Sequence, residues 1–388
     1  MELFRISTWR QFGLCGTQKS NVRRGFFESR QQVGRIIWID AIRGYAITLV
    51  VFGHVLEGAM NRGWLSRADG DAAKLIHDFI YSFHMPLFFI ISGALGIKSM
   101  RAAPGRAIIS RTGSVAWPYV FWGVISILMW PFISQFTLNP MYDVNFFEGL
   151  KGGLRALLFG QSSWFLWTLF LTQCILICAL QVAPIKMVFA SSVIAFLLLA
   201  NKDLGTLNAV IRFFPFLAFG CFIGPRIDLI KCGSKIALIA VGIFLFGALF
   251  ALVLLRVNET PILWVCCGII GSVASLMLVQ CIGTTRVNLF MAICGAASLV
   301  VFLLHPYFHG TARALIFWGM GPSIWWQLAI PTVAGVVGPT LVFLGAERLG
   351  LQWIFRLDLN RLIWPHNEEQ NVGRKLGSAQ VGEGHHRG

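Results

Sequence analysis

The chain has 388 residues, of which 56% are hydrophobic and 13% are charged, and its mean hydropathy is +0.70. A soluble domain carries about 25% charged residues, so this composition excludes an ordinary soluble fold and predicts a polytopic membrane protein with membrane lipids around it. The formal net charge of +15 does not indicate a nucleic-acid partner, because the basic residues lie in short runs between apolar segments.

Ten apolar segments are long enough, or nearly so, to cross a ~30 Å hydrocarbon core as helices. The expected fold is therefore an all-α, polytopic transmembrane helix bundle of about 10 helices. The predicted crossings are 36–56, 76–97, 114–136, 164–183, 187–201, 211–224, 236–255, 262–283, 288–306 and 324–346. An even number of crossings places both termini on one side, and 22 of the 32 Lys and Arg residues also fall on that side. The positive-inside rule predicts that this side is the cytosol.

These assignments divide the chain into three parts: a basic cytosolic tail over 1–35, a transmembrane bundle over 36–346 and a cytosolic tail over 347–388. The last part is expected to be disordered from about residue 366, because it is polar, Gly-rich and poor in apolar residues. The nine cysteines lie mostly in apolar segments and include no Cys-x-x-Cys pair. Neither a disulfide framework nor a metal site is therefore expected.

The first crossing holds three ionisable residues, Asp40, Arg43 and His54, where burial is costly unless polar partners are present. Eleven residues of helix turn through roughly 1100°, so Arg43 and His54 are only about 20° apart around the axis and about 16 Å apart along it. Asp40 precedes Arg43 by three residues, the spacing of a helical ion pair, and a purely structural pair is one alternative. Glu57, three residues beyond His54, is placed to orient the imidazole ring.

The second crossing contains His84, followed by Pro86 and later by Ser92. Pro86 lacks an N–H and bends a helix, which can open space beside His84 and His54. A kink that serves only packing is the alternative.

The fourth crossing opens on Trp164 and the ninth closes on His305 and Pro306, both at the predicted outer side. His305 is therefore expected to lie nearer to His54 in membrane depth than Arg43 does. An interfacial histidine without a catalytic role is the alternative interpretation of His305.

A cationic loop follows the second crossing on the predicted cytosolic side, with Lys98, Arg101, Arg106 and Arg111 in fourteen residues. Such cations enforce topology. Arginine also binds phosphates in a bidentate manner, which suits a donor with a pyrophosphate and a 3′-phosphate. Anionic lipid head groups are the other candidates.

Together these motifs resemble the acyltransferase-3 family of integral-membrane O-acyltransferases. The similarity rests on Asp40, Arg43 and His54 in a D-x-x-R-G and R-x10-H pattern, on FHMPLFFIISG at Phe83–Gly93, on WFLWTLF at Trp164–Phe170, and on Ser298, His305 and Pro306. The second motif is especially similar to the branch with fucose 4-O-acetylases and acetylases of rhizobial surface sugars and nodulation signals. The resemblance covers residues 35–346.

The resemblance implies an enzyme of the bacterial inner membrane that transfers an acyl group, usually acetyl, to a glycan hydroxyl. The acceptors are exopolysaccharide, lipopolysaccharide or nodulation-type lipo-oligosaccharide, and the donor is cytosolic acetyl-CoA, a substrate, with no bound cofactor. The expected site residues are catalytic His54, Arg43 and Asp40; donor-binding Arg101, Arg106 and Arg111; and, on the acceptor side, Glu57, His84, Ser92, Trp164 and His305.

Two points remain open within this interpretation. His54 is either a general base or a transient acyl-histidine, and His84 or His305 either positions the acceptor or stabilises the oxyanion. Many family members carry R-x-x-R in the cytosolic loop, whereas this chain has Lys98 with Arg101. A transporter or flippase of a lipid-linked glycan is the alternative from another functional class.

Overall fold

The computed structural model describes residues 24–61, 67–133, 146–160, 163–225, 234–256, 260–282, 285–320 and 324–363. Within these ranges the regular structure is entirely helical. The helices are α1 Arg24–Asn61, α2 Arg67–Ala102, α3 Pro104–Arg111, α4 Trp117–Ile133, α5 Phe146–Leu158, α6 Trp164–Val182, α7 Ile185–Leu199, α8 Leu207–Ile223, α9 Lys235–Leu254, α10 Pro261–Cys281, α11 Arg286–Ala296, α12 Ser298–Met320, α13 Ile324–Arg348 and α14 Leu359–Ile363. A π-helix, Thr112–Ala116, joins α3 to α4, and a 3₁₀ turn, Gln352–Ile354, precedes α14.

The predicted fold class, an all-α polytopic bundle, is confirmed. Among the described residues, eight helices are long and apolar enough to cross a membrane: Ile37–Asn61, Asp69–Ala102, Pro104–Met129, Trp164–Val182, Lys235–Leu254, Pro261–Cys281, Ser298–Ile316 and Trp325–Arg348. Three shorter apolar helices are Ile185–Leu199, Leu207–Ile223 and Arg286–Ala296. The total of ten crossings and the cytosolic side of the termini stay predictions.

Two predicted segments differ from the structure. The single crossing over 288–306 is divided into α11 and α12 at Ala297, whose φ of −82° and ψ of 1° leave the helical region. The cationic loop over 98–111 is instead helical, as the end of α2 followed by α3. This segment is rich in Ala and Arg, which favour helix. The break between α2 and α3 is confined to Ala103, because a residue before proline is restricted to extended backbone.

The predicted tails are only partly within the described residues. The structure begins at Arg24, where α1 starts inside the predicted N-terminal tail, and residues 352–363 of the predicted C-terminal tail contain the 3₁₀ turn and α14. Residues 1–23 and 364–388 lie outside the described residues, so the disorder expected beyond 366 stays a prediction.

The chain forms two compact units. The first contains the described residues of 24–96, 185–203 and 211–352, and the second those of 97–184, 204–210 and 353–363. A core in the first unit joins α1, α2 and α10 through Ile42, Leu87, Ile91 and Leu276, each nearly inaccessible. This core fixes the position of α1, the helix that carries Arg43 and His54.

Two glycines allow one close helix crossing in the first unit, between α1 and α11. A Cβ at Gly44 of α1 would overlap the backbone of Met291, and a Cβ at Gly295 of α11 would overlap the backbone of Asp40. Close approach through small residues is typical of helix packing in membranes, where dispersion replaces the hydrophobic driving force. The α1 backbone is thereby fixed against α11 at the level of Asp40 and Arg43.

In the second unit, the C-terminal segment is bound to the start of α4. Trp117 Nε1 donates to the Trp353 carbonyl at 2.8 Å, and Trp122 Nε1 donates to the Ile354 carbonyl at 3.1 Å. The rings of Trp122 and Phe355 are stacked with centroids 5.3 Å apart. These contacts hold residues 353–355 against α4 within the same unit.

Candidate active site

His54 of α1 lies in a polar cluster with a carboxylate and a phenol. Its Nδ1 is 3.4 Å from Glu57 Oε2 and 3.4 Å from the Tyr81 hydroxyl. Tyr81 of α2 donates its hydroxyl proton to Glu57 Oε2 at 3.1 Å. The helical i,i+3 spacing brings Glu57 to His54, whereas Tyr81 reaches them from the neighbouring helix.

These contacts select one tautomer of His54. A carboxylate only accepts hydrogen bonds, and the hydroxyl of Tyr81 already donates to Glu57, so both neighbours of Nδ1 present acceptor oxygens. Nδ1 therefore carries the proton, and Nε2 of the neutral ring has the free lone pair. A histidine oriented by a carboxylate in this way is suited to accept a proton from a hydroxyl.

His305 of α12 is stacked on His54, with ring centroids 5.3 Å apart and planes inclined by 24°. Its Nδ1 is 2.8 Å from the Phe302 carbonyl and 3.0 Å from the Val301 carbonyl. The Phe302 carbonyl would normally bond the N–H of residue 306, but Pro306 has none. The proline thus leaves a carbonyl that fixes the Nδ1–H tautomer of His305.

His84 of α2 is oriented in a similar way. Its Nδ1 is 2.8 Å from the Ile80 carbonyl, so Nδ1 carries a proton and Nε2 is the acceptor in the neutral ring. Its ring meets that of Tyr81 edge-on at 4.7 Å. His84 and His305 are 3% and 4% exposed, whereas the His54 side chain is 43% exposed. His54 is consequently the imidazole of the three that a substrate can reach most directly.

A comparison with protein families covers most of the helices described above. The family model of the acyltransferase domain, Acyl_transf_3, matches residues 36–344, about four fifths of the chain. This chain belongs to the acyltransferase-3 family. The match includes the three helices that carry the histidine cluster, α1, α2 and α12. The protein is therefore a multi-pass membrane protein of this family.

Two curated relatives match part of this chain. The nodulation protein NolL of Sinorhizobium fredii strain NGR234 is 32% identical over 142 residues, which are 34% of this chain and 33% of the relative. NolL of Mesorhizobium japonicum is 30% identical over 143 residues, which are 36% and 34% of the two chains. The chain thus spans about a third of the length of the curated relatives it matches. No solved structure matches it significantly.

Arg43 is paired with Asp40 as the spacing predicts, with 3.4 Å between Nη1 and Oδ1. The Arg43 side chain is 36% exposed and that of Asp40 is 15% exposed. Because α1 is continuous, Arg43 lies eleven residues, or about 16 Å, along the axis from His54. Arg43 and His54 are thus at two levels of one helix face, and Asp40 partly neutralises the cation.

The other predicted site residues lie on the following elements of the two units. Ser92 is half-buried on α2, eight residues and about 12 Å along the axis from His84. Trp164 begins α6 in the second unit and is 41% exposed. Arg101, Arg106 and Arg111 also belong to the second unit, where they lie at the end of α2 and on α3.

Sequence reasoning missed four residues in or beside the histidine cluster: His77 and Tyr81 of α2, and His309 and Arg313 of α12. The rings of His77 and Tyr81 are stacked with centroids 3.8 Å apart, and those of His305 and His309 are 5.7 Å apart. The sequence does carry a signal for these residues. Residues four apart lie on the same face of a helix, so each missed side chain shares a helix face with another polar side chain.

Arg313 extends the α12 face to the backbone of α1. It is 3% exposed, donates from Nη2 to the Val55 carbonyl, and lies against Gly58, where a Cβ would overlap its guanidinium. A buried cation that bonds a carbonyl one residue from His54 thus joins α12 to α1 beside this histidine.

Proposed function

We propose that this acyltransferase moves an acetyl group from cytosolic acetyl-CoA to a hydroxyl of a cell-envelope or secreted glycan, in the bacterial inner membrane. The observation that carries the proposal is the cluster of His54, Glu57 and Tyr81, in which a reachable imidazole is oriented by a carboxylate within a family-matched bundle. Such a pair provides the base that O-acylation of a sugar requires, because a sugar hydroxyl is a poor nucleophile until its proton is accepted.

In the proposed reaction, Nε2 of His54 accepts the proton of the acceptor hydroxyl as its oxygen attacks the thioester carbonyl. A carbon–oxygen bond forms, the carbon–sulfur bond breaks, and the proton passes from His54 to the departing thiolate, which leaves as the free thiol of CoA. Glu57 stabilises the imidazolium that exists between the two proton transfers, and the Tyr81 hydroxyl holds the carboxylate in place.

The tautomers of His84 and His305 favour a role in acceptor positioning. With Nδ1–H directed to backbone carbonyls, each neutral ring offers an accepting Nε2 that can bind a sugar hydroxyl but cannot donate to an oxyanion. Rapid acid quenching tests the alternative of a transient acyl-histidine: label that stays on the protein supports it, and label found only on donor and acceptor supports direct transfer.

On the donor side, we propose that Arg43 binds a phosphate of acetyl-CoA, with the pantetheine arm along the face of α1 toward His54. Arginine is suited to this role because its planar guanidinium makes paired hydrogen bonds to phosphate oxygens while keeping a bond to Asp40. Arg101, Arg106 and Arg111 are proposed to supply further positive charge for the donor.

A glycan acceptor is supported by the resemblance to sugar O-acetylases and by two relatives named as nodulation proteins. The family match favours this proposal over a transporter of a lipid-linked glycan.

Transfer by the purified protein tests the proposal. Proteoliposomes are supplied with labelled acetyl-CoA and with envelope glycan and lipo-oligosaccharide fractions, and the products are analysed by mass spectrometry. We expect an acetyl increment on a glycan hydroxyl and release of free CoA. Hydrolysis of acetyl-CoA at the rate of protein-free liposomes, with every glycan fraction unchanged, would contradict the proposed function.

A further inference from the structure

The second unit contains a cleft that the histidine chemistry does not use. Its volume is about 170 Å³, and it is lined by the side of α3, the end of α2 and Asn360 of α14. The polar lining residues are Ser99, Arg106, Ser110, Arg111 and Asn360. Pockets for whole ligands occupy about 300–1,000 Å³, so this cleft has room for one small group and not for a nucleotide.

The lining has the chemistry of a phosphate site. Two guanidinium groups supply charge-assisted donors, two serine hydroxyls supply neutral ones, and none of the lining residues is acidic. Arg111 is half-buried, so water screens its charge less than that of an exposed cation. Arg106 and Arg111 also lie near the beginning of the candidate span Pro104–Met129, and basic residues beside a membrane span attract anionic phosphate groups.

One wall of the cleft comes from a distant part of the sequence. Asn360 Nδ2 donates to the Arg106 carbonyl at 3.2 Å, and the Leu357 N–H donates to the Gly113 carbonyl at 2.9 Å. A Cβ at Gly113 would overlap the Leu357 carbonyl, so this position favours glycine. Gly113 belongs to the π-helix that directly follows Arg111, a local geometry that is frequent at functional sites.

We propose that this cleft binds a phosphate group and that the C-terminal segment contributes to it through Asn360. The phosphate belongs either to acetyl-CoA or to the head group of an anionic phospholipid, which present the same chemistry. The first source rests on the proposed function and adds Ser99, Ser110 and Asn360 to the donor-binding residues; the second does not depend on it.

Binding to the full chain distinguishes the sources. In phosphatidylcholine nanodiscs, the affinity for CoA and for pantetheine, which has no phosphate, is measured for the wild type and for Arg106→Gln, Ser110→Ala and Asn360→Ala. For a CoA site we expect about tenfold weaker CoA binding in Arg106→Gln, several-fold weaker binding in the other two, and unchanged pantetheine binding. Arg361→Gln is the matched control, because Arg361 is exposed on the same short helix and does not line the cleft.

For a lipid site, phosphatidylglycerol added to the nanodiscs raises the melting temperature of the wild type and of Arg361→Gln, and this increase is lost in the three cleft variants. Hydrogen exchange provides a test that needs no variant. In the wild type, CoA or phosphatidylglycerol should slow amide hydrogen exchange in residues 98–111 and 353–363. Unchanged exchange with both ligands, together with variants that bind CoA and respond to phosphatidylglycerol as the wild type does, would overturn the proposal. Acetyl transfer is measured in a separate assay, so the absence of transfer would contradict only the proposed function.

Discussion

The imidazole of His54 on α1 stacks on the imidazole of His305 on α12, with 5.3 Å between ring centroids. The two rings differ in exposure and in hydrogen bonding. His54 is 43% exposed and faces Glu57, whereas His305 is almost fully buried and bonds the carbonyl that Pro306 leaves without a helical partner. This difference supports the proposal that His54 transfers the proton and that His305 positions the acceptor.

Two single substitutions of His305 separate the effect of its ring stacking from the effect of its hydrogen bonding. His305→Phe keeps an aromatic ring against His54 but removes Nε2, and His305→Ala removes both. We expect kcat to fall by about 10- to 100-fold in both variants, because loss of an acceptor for the substrate hydroxyl misplaces the nucleophile. The rate of labelled acetyl transfer measures this. Wild-type kcat in His305→Phe would limit His305 to a packing role.

Glu57→Gln tests the orientation of His54. The amide can present its NH₂ to Nδ1 and so favour the wrong tautomer, and we expect kcat to fall by about 100-fold, within the range that a positioned base contributes. Tyr81→Phe, which keeps the ring and removes one donor to Glu57, should lower kcat by less, about 3- to 10-fold. Steady-state kinetics with saturating donor check both values. A larger loss in Tyr81→Phe than in Glu57→Gln would reverse the assigned order of importance.

Local geometry explains what the sequence predicts well. The Asp40–Arg43 and His54–Glu57 contacts follow from a three-residue spacing along one helix. The hydrophobic segment 36–56 already predicts that helix. The position of Tyr81 beside His54 depends on how α1 packs on α2, which no spacing within either helix encodes. The break at Ala297 was also missed, because it is marked by no proline and follows a glycine that packs against the Asp40 backbone.

Glycines at the α1–α11 crossing should be far more sensitive to alanine than other helical glycines. Gly44→Ala and Gly295→Ala force a methyl group into the opposing backbone, and we expect destabilisation of about 1–3 kcal/mol. Gly247→Ala and Gly345→Ala are matched controls, since a Cβ there meets no atom within 4 Å, and they should be neutral or slightly stabilising. Melting temperatures in detergent compare the four variants. Equal stability of all four would contradict the close crossing.

Arg43→Lys tests the shape of the donor contact rather than its charge. A lysine keeps the cation but loses the planar pair of donors, so we expect the KM for acetyl-CoA to rise by about 10-fold with a smaller change in kcat. The control donor is S-acetyl-pantetheine, whose KM should be the same in wild type and variant because it carries no phosphate. An equal rise in KM for both donors would show that Arg43 acts on the structure of α1 and not on phosphate.

The most direct test of the mechanism is the rate of labelled acetyl transfer by His54→Gln in proteoliposomes, measured beside its affinity for CoA. If His54 is the base, kcat falls by about 10²- to 10⁴-fold while CoA binds as it does to the wild type. Transfer at the wild-type rate by a variant that retains CoA binding would contradict the central role of His54.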